Sequence, residues 1–357
     1  HGVSLIIGST EAQNISNKTT DDLAALADGT ALGASGTRFD AFLRDIKELR
    51  GIGGSVGKAI RFCSTEAEIK AACEDASVYW VLILEGTYVI SATIAPTSYM
   101  NIIGLGHVQL DWSGASGGSM FNNAAATHIT YKNLHWIKTG NSYYPVYLRS
   151  SDKFVFCQAD NTGNYISIGG TDVQWFGNDL SCDLYVLNGT CYRAVLANST
   201  FRKNVLIQSA QAKMLGCSLV GGHLRINMNS AYPDIVDFKA INSQFQDCPN
   251  YCVLISAWGG VTLMRGLKFG NCTFEPANNT TDCVVVQNSA DLTVEDVSFN
   301  HCTFRDYNNA YTIGANATVA RWRFNNGVYL DEAGTTYNFT DPDDFVYTQD
   351  GPVPAGV

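Results

Sequence analysis

The sequence predicts an all-β solenoid, a single-stranded right-handed parallel β-helix, on three observations. Short apolar cores recur about 18 to 30 residues apart, the range of repeat architectures. Equivalent places in successive cores carry the same residue types: Asn, then Cys or Ser, then Phe. Charged residues make up 16% of the chain and hydrophobic ones 46%, whereas soluble proteins carry about 25% charged residues. Asn, Ser, Thr and Gly fill the difference, and their side chains suit turns and stacked ladders.

The elements follow in order. Residues 1–55 stand outside the repeat and predict a small helical N-terminal adaptor or interface region. Phe39, Phe42, Leu43, Ile46 and Leu49 fall at helical spacings of three and four. Gly51, Gly53, Gly54 and Gly57 then form a linker. They make no phosphate loop, because no strand precedes them and no nucleotide motif follows. A capping helix is predicted over about 64–76: Glu68 lies three residues after Thr65, as a capping box requires, and Ile69, Ala72 and Cys73 supply the apolar stripe.

Residues 56–330 form the β-helix. Its cores run His128–Ile137, Lys153–Asn161, Asp172–Ser181, Tyr192–Arg202, Ala212–Val220, Phe238–Gln246, Leu267–Glu275 and Val297–Arg305, with a looser copy at Ala320–Leu330. One coil is too thin to bury its own apolar face, so coils must stack at strand spacing, like over like. Asn133, Asn198, Asn242, Asn271 and Asn326 share one place, with His301 as their counterpart. Asparagine tolerates the left-handed turn and can bond to the next coil. Cys217, Cys272, Cys302, Ser199 and Ser243 follow as small inward fillers, and Phe201, Phe245, Phe274 and Phe304 as an aromatic column. Residues 331–357 are acidic and proline-bearing (Asp341 to Asp344, Pro352, Pro354) and predict an extended C-terminal arm.

Bulk properties exclude several function classes. A net charge of -10 and a pI near 5.0 argue against a nucleic-acid partner, since no basic stripe neutralises phosphates. No apolar run is long enough for membrane insertion, and His1 to Ile7 lacks the order of a secretory signal. Eleven cysteines is an odd number, and several fall at equivalent repeat positions. Free thiols in a core are expected, which favours assembly in a reducing cytosol. Cys248 and Cys252 have no histidine close by to complete a zinc set. No metal and no cofactor is expected.

The candidate chemistry is carbohydrate chemistry. Outward side chains on successive coils can line a groove for an extended glycan. Asp160, Asp179 and Asp183 are the candidate catalytic carboxylates, as the acid and base of a hydrolase or the base of a lyase. His223 and Arg225 in the run GGHLRIN, with Tyr143 and Tyr144, are the candidate substrate-binding residues. Alternatively, the three aspartates terminate strands and cap turns. Trp136 stands at the inward phenylalanine position and belongs to the core. No serine or cysteine nucleophile motif is present.

The capping helix followed by LEGTYVISATI and NIIGLG resembles the entry to the pectin-lyase-like β-helices, over roughly residues 58–330. GGHLRIN is similar to elements of the polygalacturonase-like glycosidases, with Leu224 where those have a second glycine and without their adjacent aspartate pair. The N-terminal adaptor, unpaired cysteines, polar surface and terminal arm most resemble bacteriophage tailspikes and related virion β-helices. That resemblance implies a homotrimer binding, and in many cases cleaving, a host surface glycan, joined to other virion proteins through its N-terminal region and located in the virion tail. A secreted polysaccharide lyase or hydrolase, and a non-enzymatic adhesin or structural solenoid, are the alternatives.

Overall fold

The computed structural model describes residues 59–348 apart from 331–344 and the loops at 113–118, 124–125, 139–145, 162–164, 187–192, 209–210, 229–236, 258–262, 288–291, 309, 315–316 and 326–327. The predicted adaptor (1–55) and most of the predicted arm lie outside the described residues. Among the described residues every strand pairing is parallel, and each coil away from the two ends contributes one strand to each of three sheets. Sheet A has 13 strands, sheet B 11 and sheet C nine; three strands near the C-terminal end form a small fourth sheet. One coil runs Thr130–Lys132 in sheet A, His135–Lys138 in sheet B and Val146–Leu148 in sheet C. The next begins at Lys153–Val155, in register with Thr130–Lys132. The chain is a right-handed parallel β-helix.

Two turns per coil carry the architecture. The corner from sheet A to sheet B is two residues long. Its first residue takes left-handed φ in Asn133, Phe156, Gly177, Asn198, Gly216, Asn242, Asn271 and His301, between 49° and 68°. The predicted asparagine ladder is there, with Phe156 and two glycines inserted; Asn326 lies outside the described residues. Asn133 Nδ2 donates to the carbonyls of Gly104 and Gly106 at 2.8 and 3.1 Å, tying one coil to the previous one.

The second corner residue points inwards and, Leu134 apart, is small or hydrogen-bonding for a reason: it serves the corner's own carbonyls. Ser199 Oγ donates to Ala197 O at 2.9 Å and accepts from Asn178 N–H at 3.1 Å. Cys272 Sγ donates to Ala240 O and Gly270 O, both at 3.4 Å. Among the described residues all ten cysteines are unpaired and buried. Burial pushes the Cys157 and Cys182 thiols up to about 12, so they stay protonated and act as weak donors.

The core is continuous along the axis. Phe245 stacks on Phe274 at 5.1 Å and Phe274 on Phe304 at 4.9 Å, while Leu219 intervenes between Phe201 and Phe245. A second pile, Phe269, Phe299 and Phe324, runs alongside at 4.9 Å steps. Trp136 is fully buried, as expected, and Trp175 is too.

The capping helix α1 spans Glu66–Glu74, with the Thr65 side chain accepting from Glu68 N–H. Glu68 reaches back to Ser64 N–H at 2.7 Å. Ile69, Ala72 and Cys73 enter the core. The outer carboxylates bind the first coil: Glu66 accepts from Ser91 N–H at 2.6 Å and Glu74 from Ala95 N–H at 3.1 Å. At the other end Phe345–Thr348, within the predicted arm, pairs with Trp322–Asn325 and adds one strand to sheet A beyond residue 330.

Candidate functional site

Alternation decides which side chains leave the core. In sheet C the segments Val146–Leu148, Asp183–Val186, Val205–Ile207 and residues 224–226 bury every second residue, so the residues between face outwards. The register stacks Tyr147, Ser167, Tyr185, Leu206 and Arg225 in one outward column. Tyr147, Tyr185 and Arg225 stand on alternate coils, about 10 Å apart at strand spacing.

The tyrosine nearest the N-terminal end is pinned from two sides. A Cβ added at Gly169 would fall 1.9 Å from the Tyr147 hydroxyl, so the Tyr147 phenol lies over that glycine. The Arg149 guanidinium sits 4.2 Å from the Tyr147 ring centroid. Between Tyr147 and Tyr185, Ser167 Oγ is buried without a hydrogen-bond partner among the described residues.

Three of the predicted site residues meet on this flank. Asp183 Oδ1 accepts from Asn204 N–H at 2.9 Å, and Asn204 Oδ1 accepts from His223 N–H at 3.2 Å. Backbone and side chain thus link three successive coils. The His223 ring meets Tyr251 edge-on at 4.6 Å. Burial, with the Arg225 charge adding to it, lowers the His223 pKa to about 4, so the imidazole is neutral across the physiological range. Arg225 Nε donates to Ser256 Oγ at 3.3 Å. Burial raises the Tyr185 and Tyr251 phenols, and the Arg225 charge opposes both shifts. The flank therefore offers a carboxylate, a neutral imidazole, a guanidinium and three phenols to one ligand.

The other predicted residues are elsewhere. Asp160 and Asp179 stand on sheet B and Asp183 on sheet C, because the chain bends at Ser181 and Cys182 between the two sheets. Asp160 Oδ2 bonds to His135 Nε2 at 2.7 Å. Asp179 takes a two-pronged ion pair from Arg202, both contacts at 3.1 Å. Tyr143 and Tyr144 lie outside the described residues. Tyr185, Asn204 and Tyr251 were not singled out from sequence. The alternation in LYV and LRI was the available signal, since its middle residues face outwards. No group of three or more potential metal ligands occurs among the described residues.

All-parallel sheets stacked coil upon coil around an inward ladder define the class: a right-handed parallel β-helix. The chain is similar to the surface adhesin PfbA of Streptococcus pneumoniae at 9% identity and a TM-score of 0.53, over 77% of this chain and 89% of that one. It is similar to the A-modules of the Azotobacter vinelandii mannuronan C-5 epimerases AlgE4 (10% identity, TM-score 0.51, 83% and 98% of the chains) and AlgE6 (12%, 0.50, 84% and 98%). These likenesses are of fold. No family model matches the chain, and no curated protein matches it in sequence.

Proposed function

We propose that this chain is a glycan-recognition β-helix that lays an extended surface polysaccharide along the outer face of sheet C. The observation that carries this is the outward column in which Tyr147, Tyr185 and Arg225 alternate with Ser167 and Leu206. Phenol rings offer apolar faces to the C–H faces of sugars and hydroxyls to their oxygens. Arg225 adds a fixed fork of donors. Large side chains on alternate coils leave slots with a pitch of about 10 Å, which suits a polymer with a two-sugar period.

The biological setting we infer is a virion host-recognition spike of the tailspike type, a homotrimer whose residues 1–55 join it to other virion proteins. Ten unpaired, buried thiols support assembly in a reducing compartment. An adhesin and two mannuronan-epimerase modules share the architecture, which supports a polysaccharide partner. Cleavage is a second reading, favoured by Asp183, which Asn204 links to His223 two coils on, on the flank that carries Arg225. In it Asp183 is the acid–base carboxylate, and Arg225 steadies negative charge that develops on the sugar.

The test is direct. The full chain is incubated with capsule and lipopolysaccharide from bacterial hosts, and binding, new reducing ends and the ultraviolet absorbance of unsaturated products are followed. Binding that Tyr185→Ala and Arg225→Ala each weaken roughly tenfold, about 1.4 kcal/mol, is the expected result. Cleavage that Asp183→Asn abolishes assigns catalysis to this face. Binding indifferent to both Tyr185 and Arg225 removes sheet C as the site. Light scattering reads the trimer.

A further inference from the structure

The corner between sheets A and B holds an anomaly. Seven of its eight described left-handed positions carry Asn, Gly or His, residues that tolerate that conformation. The eighth is Phe156, at φ 51°. A bulky aromatic there is strained, and backbone strain that persists in a fold concentrates at functional sites. Phe156 also gains little from burial, because it is 52% exposed.

The surroundings are built to hold that ring at the surface. A Cβ added at Gly177, the corner residue of the next coil, would fall 2.5 Å from the Phe156 ring, so the ring lies against bare backbone. Phe176, itself 40% exposed, meets it edge-on at 5.5 Å. Beside Phe156 is a cleft of about 140 Å³, lined by Phe156, Gly106, His107, Asn133, His135 and Gln158. His107 and His135 pack edge-on at 5.8 Å, and Asp160 fixes His135 through its Nε2 at 2.7 Å.

We propose that this corner is a second carbohydrate site, for the pyranose ring of a neutral glycan. Phe156 and Phe176 supply the stacking face; Gln158, Asn133 and His107 supply amide and ring-nitrogen edges for hydroxyls. The charge around it selects against acidic sugars. Asp160 is exposed two positions beyond Gln158 and bonds to His135, which places a carboxylate at the rim, and Arg202 is paired with Asp179. The site stands on sheets A and B and shares no residue with the sheet C column, so either can fail alone.

Phe156→Asn tests it, because asparagine occupies the same corner place at 133 and 198 and relieves the strain. Calorimetric titration of the full chain uses cellohexaose, maltohexaose and mannohexaose, with hexagalacturonate as the acidic comparator. At least one neutral hexasaccharide binds. Phe156→Asn weakens that binding roughly tenfold or more while its unfolding midpoint holds or rises; Phe156→Tyr retains binding, and Arg225→Ala leaves it unchanged. The proposal is overturned if none of the three neutral oligosaccharides binds, if hexagalacturonate is preferred, or if Phe156→Asn binds as the wild type does. A lowered midpoint in Phe156→Asn would equally sink it, by showing that the ring serves the fold.

Discussion

The two left-handed turns of each coil do the same backbone work with different chemistry. At the corner between sheets A and B, Asn, Gly, Phe156 or His301 is followed inwards by Leu134, Cys157, Asn178, Ser199, Cys217, Ser243, Cys272 or Cys302. At the return turn before sheet A, the left-handed residues are Tyr99, His128, Ser151, Asp172, Arg193, Gln211, Asp237, Gly266, Asp296 and Arg321, with φ between 54° and 77°. Their inward followers are apolar in every described coil but one: Met100, Ile129, Val173, Ala194 and so on, with Asp152 as the exception. The corner must satisfy its own carbonyls and so fixes residue identity. The return turn asks only for a conformation, and its exposed side chains settle by pairing opposite charges, Asp172 with Arg193 and Asp296 with Arg321.

Asp152 offers the largest way to break that contrast. It accepts hydrogen bonds from Ile129 N–H, Arg149 N–H and Asn123 Nδ2, yet burial raises its pKa from 3.8 to about 6. A carboxyl whose folded pKa is raised contributes stability that is complete below its unfolded pKa and is lost as pH rises through the folded one. The fold should therefore lose about 3 kcal/mol between about pH 3 and pH 7 from this group. Asp152→Asn should flatten that stretch of a denaturant-melt pH profile; an unchanged slope assigns the dependence elsewhere.

At the corner, Asn178 is buried, accepts from Cys157 N–H at 2.7 Å and donates to Phe154 O at 2.8 Å. Asn178→Ala withdraws both partners from the dry interior and should cost about 2 kcal/mol in urea unfolding. A loss well under 1 kcal/mol would mean the corner carbonyls do not set residue choice. The smallest effect belongs to the return turn. Asp172→Ala breaks an exposed ion pair with Arg193, and its unfolding midpoint at physiological ionic strength should match the wild type's within scatter.

The same contrast explains what the sequence disclosed. The asparagine, cysteine–serine and phenylalanine columns were legible because each position meets its own copy one coil away, and the capping helix because Thr65 and Glu68 keep a local spacing. The return turn was not legible, since Tyr, Asp, Arg and Gln leave no common signature. Nor was Phe156, which hides in a ladder defined by asparagine. The site was half legible. Asp183, His223 and Arg225 do gather, but Asp160 and Asp179 sit on another flank, because a bend at Ser181 and Cys182 turns the chain onto a new face. Contacts such as His135 with Asp160 need the register of two coils, which no local pattern encodes.

Helix α1 bears on how copies of the molecule can meet. Glu66 and Glu74 occupy the amide hydrogens of Ser91 and Ala95 that another chain's strand would otherwise use. A second copy therefore cannot use these two amides to prolong the coil, and any contact with this stretch of the first coil must be made through side chains.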